Sequence, residues 1–431
     1  MDNSNLWGDA AFRRISLVLT VDSFCSWMLV AALPLVVASR FGAGAELVGS
    51  LALRLLPSLL LAPIVASLLR RSGPQLPVLC CLSVTAIAIP GLAFAPDAMT
   101  LHMIVLVIGA ADAVITPGLL MLRAAVVPAG RNMEANTAFQ AIDRFAKIFG
   151  PPAAGLAAAS TSIVTTLLAL SLAQIGAALL LVLQPRDKPV QENAAPSHAS
   201  GFGRETLAMF CENPLLWALL LPAFGHMVSL GALQPFLFWL NRDQFHFGPE
   251  MWTLLLAAQG AGALIGAVVS HRLAGALTST QALLRAYLLS SLLEGLSTFA
   301  LIFAPNSLVA SGLLIVGGIP EMIAFATYFT LVQRCLSLER QAVFYAVSLP
   351  LMDACLIAGI VSGAFYTSNL VTLGQFWLFA SACAVLPVLP FLAWRGSATD
   401  RQSSVSRQKI NASRNLRLAC FTLTGHTRTG L

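Results

Sequence analysis

The chain has 431 residues, of which 57% are hydrophobic and only 10% charged, with a formal net charge of +6. An ordinary soluble domain carries about 25% charged residues, so a water-soluble fold of this length could not cover itself with so few. The composition excludes that class and describes a chain whose solvent is largely lipid.

The apolar residues come in blocks of about twenty, the length a helix needs to cross about 30 Å of hydrocarbon at about 1.5 Å per residue. In chain order the blocks predict helices over 13–36, 47–69, 76–95, 101–122, 136–159, 162–184, 213–240, 251–274, 281–303, 308–332, 343–368 and 372–394. The first begins at Arg13 and Arg14 and exceeds the apolar core of about 7 to 15 residues found in a signal peptide, so it reads as an uncleaved span. Turn chemistry separates the blocks: Arg40-Phe41-Gly42 follows the first, Ser72-Gly73-Pro74 the second, and Pro305-Asn306-Ser307 precedes the tenth. Twelve crossings leave both termini on one side.

Lys and Arg accumulate on the cytoplasmic side of membrane proteins. With the amino terminus inside, Arg40 and Arg242 fall outside and Arg54 lies within the second helix, while the other 22 of 25 Lys and Arg fall inside or at the inner edge. The net charge is therefore a topology signal and calls for no nucleic-acid partner. The expected setting is a plasma membrane, the inner membrane for a bacterial source, holding a multi-pass monomer with both termini cytoplasmic.

The eight cysteines form no CxxC pair and no set with His at metal-ligand spacing, and all but Cys420 lie in or beside apolar blocks. They read as small buried thiols. A Pro/Ser/Ala-rich stretch between helices six and seven has linker composition. The predicted organisation is thus a six-helix bundle over 1–184, a cytoplasmic linker over 185–212, a second six-helix bundle over 213–395 and a disordered cytoplasmic tail over 396–431.

The two halves carry an internal repeat. Arg131 precedes Gly150 by nineteen residues and Arg340 precedes Gly359 by the same interval, a shift of 209. After helices two and eight the halves read Ala66-Ser67-Leu68-Leu69-Arg70-Arg71-Ser72-Gly73 and Ala267-Val268-Val269-Ser270-His271-Arg272-Leu273-Ala274, with Arg71 and Arg272 at one place. Two correspondences in the same order favour duplication, and parallel six-helix repeats are one known transporter design.

Three stretches carry a family resemblance: Ala32-Leu33-Pro34-Leu35 in helix one, Leu53-Arg54-Leu55-Leu56-Pro57 in helix two and Gly150-Pro151-Pro152-Ala153-Ala154-Gly155 in helix five. On these the chain, from helix one to helix twelve, resembles the major facilitator superfamily, and within it the drug and metabolite exporters of the macrolide-efflux type. The third stretch is similar to the antiporter motif GPxxGG, with Leu156 in place of its last Gly. Pro151 and Pro152 remove backbone donors and kink the helix, while Gly150 and Gly155 admit a close neighbour. A packing role for the same residues is the plainer alternative. The loop after helix two departs from the family pattern G-x-x-x-D-R-x-G: Gly73 is kept, but Arg70 precedes Arg71 where the acid stands, Ala66 replaces the first Gly, and His271 takes the acid's place in the second half.

A charge at bilayer depth costs at least about 2.5 kcal/mol, so each one needs a reason. Asp22, Asp112, His226 and Glu321 lie about 12 to 20 Å deep on helices one, four, seven and ten. In the family those helices line the central cavity, which makes these four residues candidate proton and substrate groups. A carboxylate that takes either a proton or a cationic substrate is the simplest chemistry for antiport. Each can equally be a polar group satisfied by a neighbouring helix.

Arg54 is a candidate gate or counter-ion able to snorkel outward or reach Asp22, and Asp353 on helix eleven is a further proton-site candidate. Glu294, on a helix that supports the bundle in the family, reads as structural. On helix five Gln140, Arg144 and Lys147 share a face, with Asp143 able to pair with Lys147, and read as the cytoplasmic mouth. Phe24, Trp27, Met28, Phe224, Met227, Phe325 and Phe329 are candidates for the apolar part of a pocket.

The resemblance implies export of a small organic molecule by proton antiport, with the proton gradient as driving force and no cofactor. A dedicated siderophore or metabolite exporter is the alternative. A membrane-embedded enzyme is more remote, since the chain holds no P-loop, no HExxH and no clustered His/Asp set.

Overall fold

The computed structural model of the protein describes residues 8–127, 132–184, 213–248 and 251–392. The predicted linker 185–212, the tail 396–431, Arg131 and the side chain of Gln140 lie outside the described residues.

The described residues are helical throughout. The spanning helices are α1 (Ala10–Phe41), α2 (Ala45–Ser72), α3 (Gln75–Phe94), α4 (Ala98–Val126), α5 (Asn132–Ser160), α6 (Ile163–Val182), α7 (Pro214–Trp239), α8 (Met251–Leu273), α9 (Thr280–Ala300), α10 (Ser307–Cys335), α11 (Leu338–Thr367) and α12 (Leu373–Val385). Chain through Val388 forms one compact unit, and a second begins at Leu389 with the four-residue helix α13 (Leu389–Leu392).

Polar caps set most of the helix starts, satisfying backbone N–H groups that a first turn leaves orphaned. Asp9 accepts from Ala11 N at 2.7 Å. Asp97 accepts from Thr100 N at 2.7 Å, a bond that holds its carboxyl below the usual range. Ser162, Ser279 and Asn306 do the same for α6, α9 and α10. Thr372 and Gln375 close a reciprocal capping box on α12. The caps lie outside the apolar blocks, so several helices run a few residues beyond their predicted ends. Gly73 closes α2 at φ +70°, a conformation that costs glycine nothing. The last helix is interrupted before its predicted end: α12 stops at Val385, just before Pro387, which cannot donate to the preceding turn, while the apolar span as a whole runs over Leu373–Leu392.

Eleven of the spans are long and apolar enough to cross a bilayer by composition alone. The twelfth, α5, has the length but carries Asp143, Arg144 and Lys147 in its middle. Large apolar side chains stand uncovered around the helices, among them Ile87 at 80% exposure and Leu308 at 81%. In water such a surface would aggregate, and against lipid tails it is in its own solvent.

The helix pairing repeats. Among the first six, α1 packs on α5 and α6, α2 on α4, and α3 on α4 and α6. Among the last six, α7 packs on α11 and α12, α8 on α10, and α9 on α10 and α12, so each pairing recurs six helices later. The two sets meet through α5 against α8 and α2 against α11, again one relation taken twice. Small residues allow these approaches. A Cβ on Gly150 would lie 2.9 Å from the Cβ of Trp27 in α1, and one on Gly359, 209 residues on, would collide with the backbone of Val228 in α7. Gly109 sits against the backbone of Arg54 in α2, and Gly318, the same interval on, against Gln259 and Ala263 in α8.

One end of the bundle is sealed. Trp239, Phe236, Phe376 and Trp377 are buried beside the loop joining α1 to α2, with Phe236 stacked on Trp377 at 3.8 Å between ring centroids. Trp239 Nε1 donates to the carbonyl of Ala43 at 2.8 Å, fastening α7 to the α1–α2 loop. Beyond Trp239 the chain makes one π-helical turn (Leu240–Gln244), and Tyr366 of α11 donates its hydroxyl to Asp243 at 2.8 Å.

These backbone approaches predict a graded effect of adding one methyl group. Gly109→Ala and Gly318→Ala should each lower stability by the ~1–3 kcal/mol of an overpacked core. Gly176→Ala on α6, where a Cβ meets open space, should leave stability unchanged or raise it by up to ~1 kcal/mol. Thermal melting of the purified protein measures all three, and equal shifts would refute the assignment.

Candidate functional site

A cavity of about 870 Å³ opens between α1, α2, α4, α7 and α11. Its wall on α2 runs from Leu51 to Arg70, and on α4 from Gly109 to Met121. It therefore deepens from the end of the bundle that bears the α2–α3 turn and stops beneath the sealed end. Most of the lining is apolar, including Val30, Leu55, Val65 and Leu349; its charged members are Arg54, Arg70, Asp112 and Asp353.

Asp112 and Arg54 face the cavity together. Arg54 Nη2 lies 3.4 Å from Asp112 Oδ2 and 3.3 Å from the carbonyl oxygen of Ser26, so one guanidinium ties α2 to α4 and α1. The Arg54 side chain is 10% exposed and that of Asp112 28%, which leaves the acid the more accessible partner. Of the two expected directions for Arg54 the structure adopts the inward one, but its partner is Asp112 rather than Asp22.

Asp22 is buried off the cavity. Ser26 and Val30 of α1 line the wall, and each four-residue step back along a helix rotates a position by about 40°. That rotation carries Asp22 toward α6, where Gln174 Nε2 donates to its Oδ1 at 3.3 Å. Gln174 Oε1 is buried with no hydrogen-bond partner. Asp112 and Arg54 are within electrostatic range of Asp22.

Glu321 and His226 are also away from the large cavity. Lys147 Nζ of α5 lies 3.8 Å from Glu321 Oε1, both side chains 13% exposed, and Gln259 Nε2 donates to Glu321 Oε2 at 3.2 Å. His226 Nδ1 is 2.8 Å from Glu294 Oε1. Glu294, Glu321 and Gln259 border a small void of about 20 Å³, room for about one water molecule. The expected ring of four cavity-facing ionisable groups is thus divided in three: Asp112 faces the large cavity, Asp22 is buried against Gln174 of α6, and Glu321 and His226 belong to a polar cluster among α5, α7, α8, α9 and α10.

Glu294 makes a helix-to-helix contact in keeping with a structural place, whereas the reading of Lys147 changes. Glu294 contacts His226 across α7 and α9, because both lie about 18 to 21 Å along helices that start at the same end of the bundle. Lys147 does not line the mouth: α5 begins at Asn132, which puts Lys147 about 22 Å in. Asp143 accepts from Trp27 Nε1 at 3.2 Å, Lys147 lies over the Trp27 ring, and Arg144 over the ring of Phe325 in α10. One signal for this cluster was present in the sequence, since Asp112 and Glu321 are themselves 209 residues apart.

The conformational residues divide by what they touch. Gly150 backs onto α1, and a Cβ on Gly155 would overlap Thr253 of α8, so the segment from Gly150 to Gly155 joins the two sets of helices. Arg71 is exposed at the end of α2, one residue past Arg70 at the cavity rim. Asp353 is exposed and faces the large cavity from α11.

Comparison with known proteins gives three results. The sequence profile of the Major Facilitator Superfamily matches residues 15–352. No curated protein sequence matches the chain. Among solved structures the chain is similar to the crystal structure of nucleoside transporter NupG, with a TM-score of 0.68 and 14% identity over 89% of this chain and 99% of that one. It is similar also to the structure of a bacterial metal transporter, with a TM-score of 0.63 and 14% identity over 91% of this chain and 100% of that one. At such identities the likeness is one of fold.

The Lys147–Glu321 pair makes a stability prediction. Removing one partner strands a buried charge, so Lys147→Ala and Glu321→Gln should each destabilise more than their combination does. Buried pairs cost roughly 3–5 kcal/mol to break from one side; at 3.8 Å this pair should show a coupling of about 1 kcal/mol or more in a double-mutant cycle. Additive effects in melting experiments would mean that the two side chains do not interact.

Proposed function

The chain belongs to the Major Facilitator Superfamily, and on that premise we propose that it is a secondary active exporter of small organic molecules, driven by proton entry through alternating access. The observation that carries this reading is the Arg54–Asp112 pair at the wall of an 870 Å³ cavity, open at one end and sealed at the other. The volume lies within the roughly 300–1,000 Å³ of small-molecule sites. The acid can hold Arg54, a proton or a cationic group, one at a time, and that exclusivity couples the fluxes.

Two acids then have different tasks. Asp112 exchanges its proton against substrate in the cavity. Glu321 holds Lys147 from the other set of helices, and its protonation would loosen that hold and free the sets to move. Asp22, buried nearby, is a reserve proton site whose charge Gln174 steadies. Arg70, Arg71, Arg123, Arg272 and Arg334 stand at the open end, which the positive-inside rule places toward the cytoplasm. The state is then an inward-facing one, in a plasma membrane, with both termini cytoplasmic and the monomer as the working unit.

Drug efflux is favoured over a dedicated exporter of an acidic metabolite such as a siderophore. An acidic cargo needs a cationic wall, and here Arg54 is matched by Asp112 and Arg70 stands at the rim.

Inside-out vesicles test the proposal. An acid interior should drive uptake of an amphipathic dye, an uncoupler should abolish it, and Asp112→Asn should slow it by about tenfold or more, the effect of losing a contact of ~1.4 kcal/mol. Asp22→Asn should weaken the pH dependence while leaving dye binding in place. Uptake that ignores the gradient, or that Asp112→Asn leaves coupled, would remove the mechanism.

A further inference from the structure

We infer that Asp353 is the recognition group for the charge of the substrate, and that the cavity selects amphipathic organic cations. The inference rests on the large cavity being the substrate site.

Asp353 sits at the middle of α11, about 21 to 23 Å from either end, where an ionised group costs at least about 2.5 kcal/mol. Every other acid described above at comparable depth has found a partner. Asp22 has Gln174, Asp112 has Arg54, Glu294 has His226, and Glu321 has Lys147 and Gln259. Among the described residues, Asp353 makes no hydrogen bond or ion pair, although its side chain is exposed and borders the cavity. A carboxylate kept in that position is complementary to something that enters.

The rest of the wall defines what that is. From α2 come Arg54, already paired, and Arg70 at the rim, and from α4 comes Asp112, which holds Arg54. Ser26 of α1 and Gln234 of α7 add neutral hydrogen-bonding groups. In the state seen here, with Arg54 held by Asp112, the deep part of the cavity carries the single negative charge of Asp353. Tyr345 lines the same wall two turns nearer the mouth, about 12 Å along α11, and is held by stacking on Phe329 at 5.9 Å. An aromatic face on the approach and a carboxylate at depth, set in an apolar surface, suit an onium or protonated amine carried on a bulky apolar body. An anion would meet uncompensated charge of its own sign.

Size-matched lipophilic ions separate charge from shape. The full-length protein in nanodiscs should bind tetraphenylphosphonium about tenfold or more tighter than tetraphenylborate in equilibrium dialysis, as expected for one desolvated charge contact. Asp353→Asn should lose about tenfold in phosphonium affinity while keeping its affinity for neutral triphenylphosphine oxide, and Asp353→Glu should recover most of the loss. Equal binding of the two ions, a preference for the borate, or unchanged phosphonium affinity in Asp353→Asn would overturn the inference. If Asp353→Asn binds none of the three probes, it has lost its fold, and the preference of the unmodified protein decides alone. These are binding measurements without a gradient, so failure of proton coupling and failure of charge selection are read separately.

Discussion

Hydrocarbon does not solvate charge, and the interior of this protein is ordered by how its charged side chains find one another. Arg54 with Asp112 ties α2 to α4, Lys147 with Glu321 ties α5 to α10, and His226 with Glu294 ties α7 to α9. Each contact demands that two helices come close enough for the two side chains to meet. Glycines at the crossings permit two such approaches: Gly109, one turn before Asp112 on α4, lies against the α2 backbone at Arg54, and Gly318, one turn before Glu321 on α10, lies against α8 at Gln259, the residue that donates to Glu321. Packing and electrostatics are the same constraint seen twice, since a bulkier residue at either glycine would pull the acid away from its partner.

The internal repeat gives the two halves a carboxylate at the same place, Asp112 and Glu321, and different company for it. Asp112 is held by a base from its own set of helices and opens onto the large cavity. Glu321 is held by a base from the opposite set and borders a void with room for about one water molecule. A chain built by repetition thus arrives at two unlike sites by changing which helix supplies the cation. The division of labour proposed for them, exchange at one and fastening at the other, follows from that difference in partner.

The twelve spans were legible because hydropathy is written along one dimension. Their ends were less so: caps such as Asp9 and Asp97 are polar and fall outside any apolar window, though they decide where the first turn begins. The depth of the ionisable residues could be counted along each helix, and that count brought Asp112 and Glu321 forward. What it could not supply was rotation about the helix axis. Asp22 is one turn from the cavity-lining Ser26 and still faces α6, and the pairing of His226 with Glu294 requires knowing that α7 and α9 are neighbours. Apolar content starts α5 at residue 136, whereas its first turn begins at Asn132, and those four residues carry Lys147 deeper than the mouth that the sequence suggests.

The two prolines of α5 add a mechanical consequence. Having no N–H, Pro151 and Pro152 withhold the helical donors that would otherwise reach the carbonyls of residues 147 and 148. The helix therefore lacks two backbone bonds at Lys147 and Ile148, the first paired with Glu321 and the second lying against Gly260 of α8. Under the alternating access proposed above, a bend of α5 would centre on its electrostatic anchor, and the helix would work as a lever whose fulcrum is the Lys147–Glu321 contact.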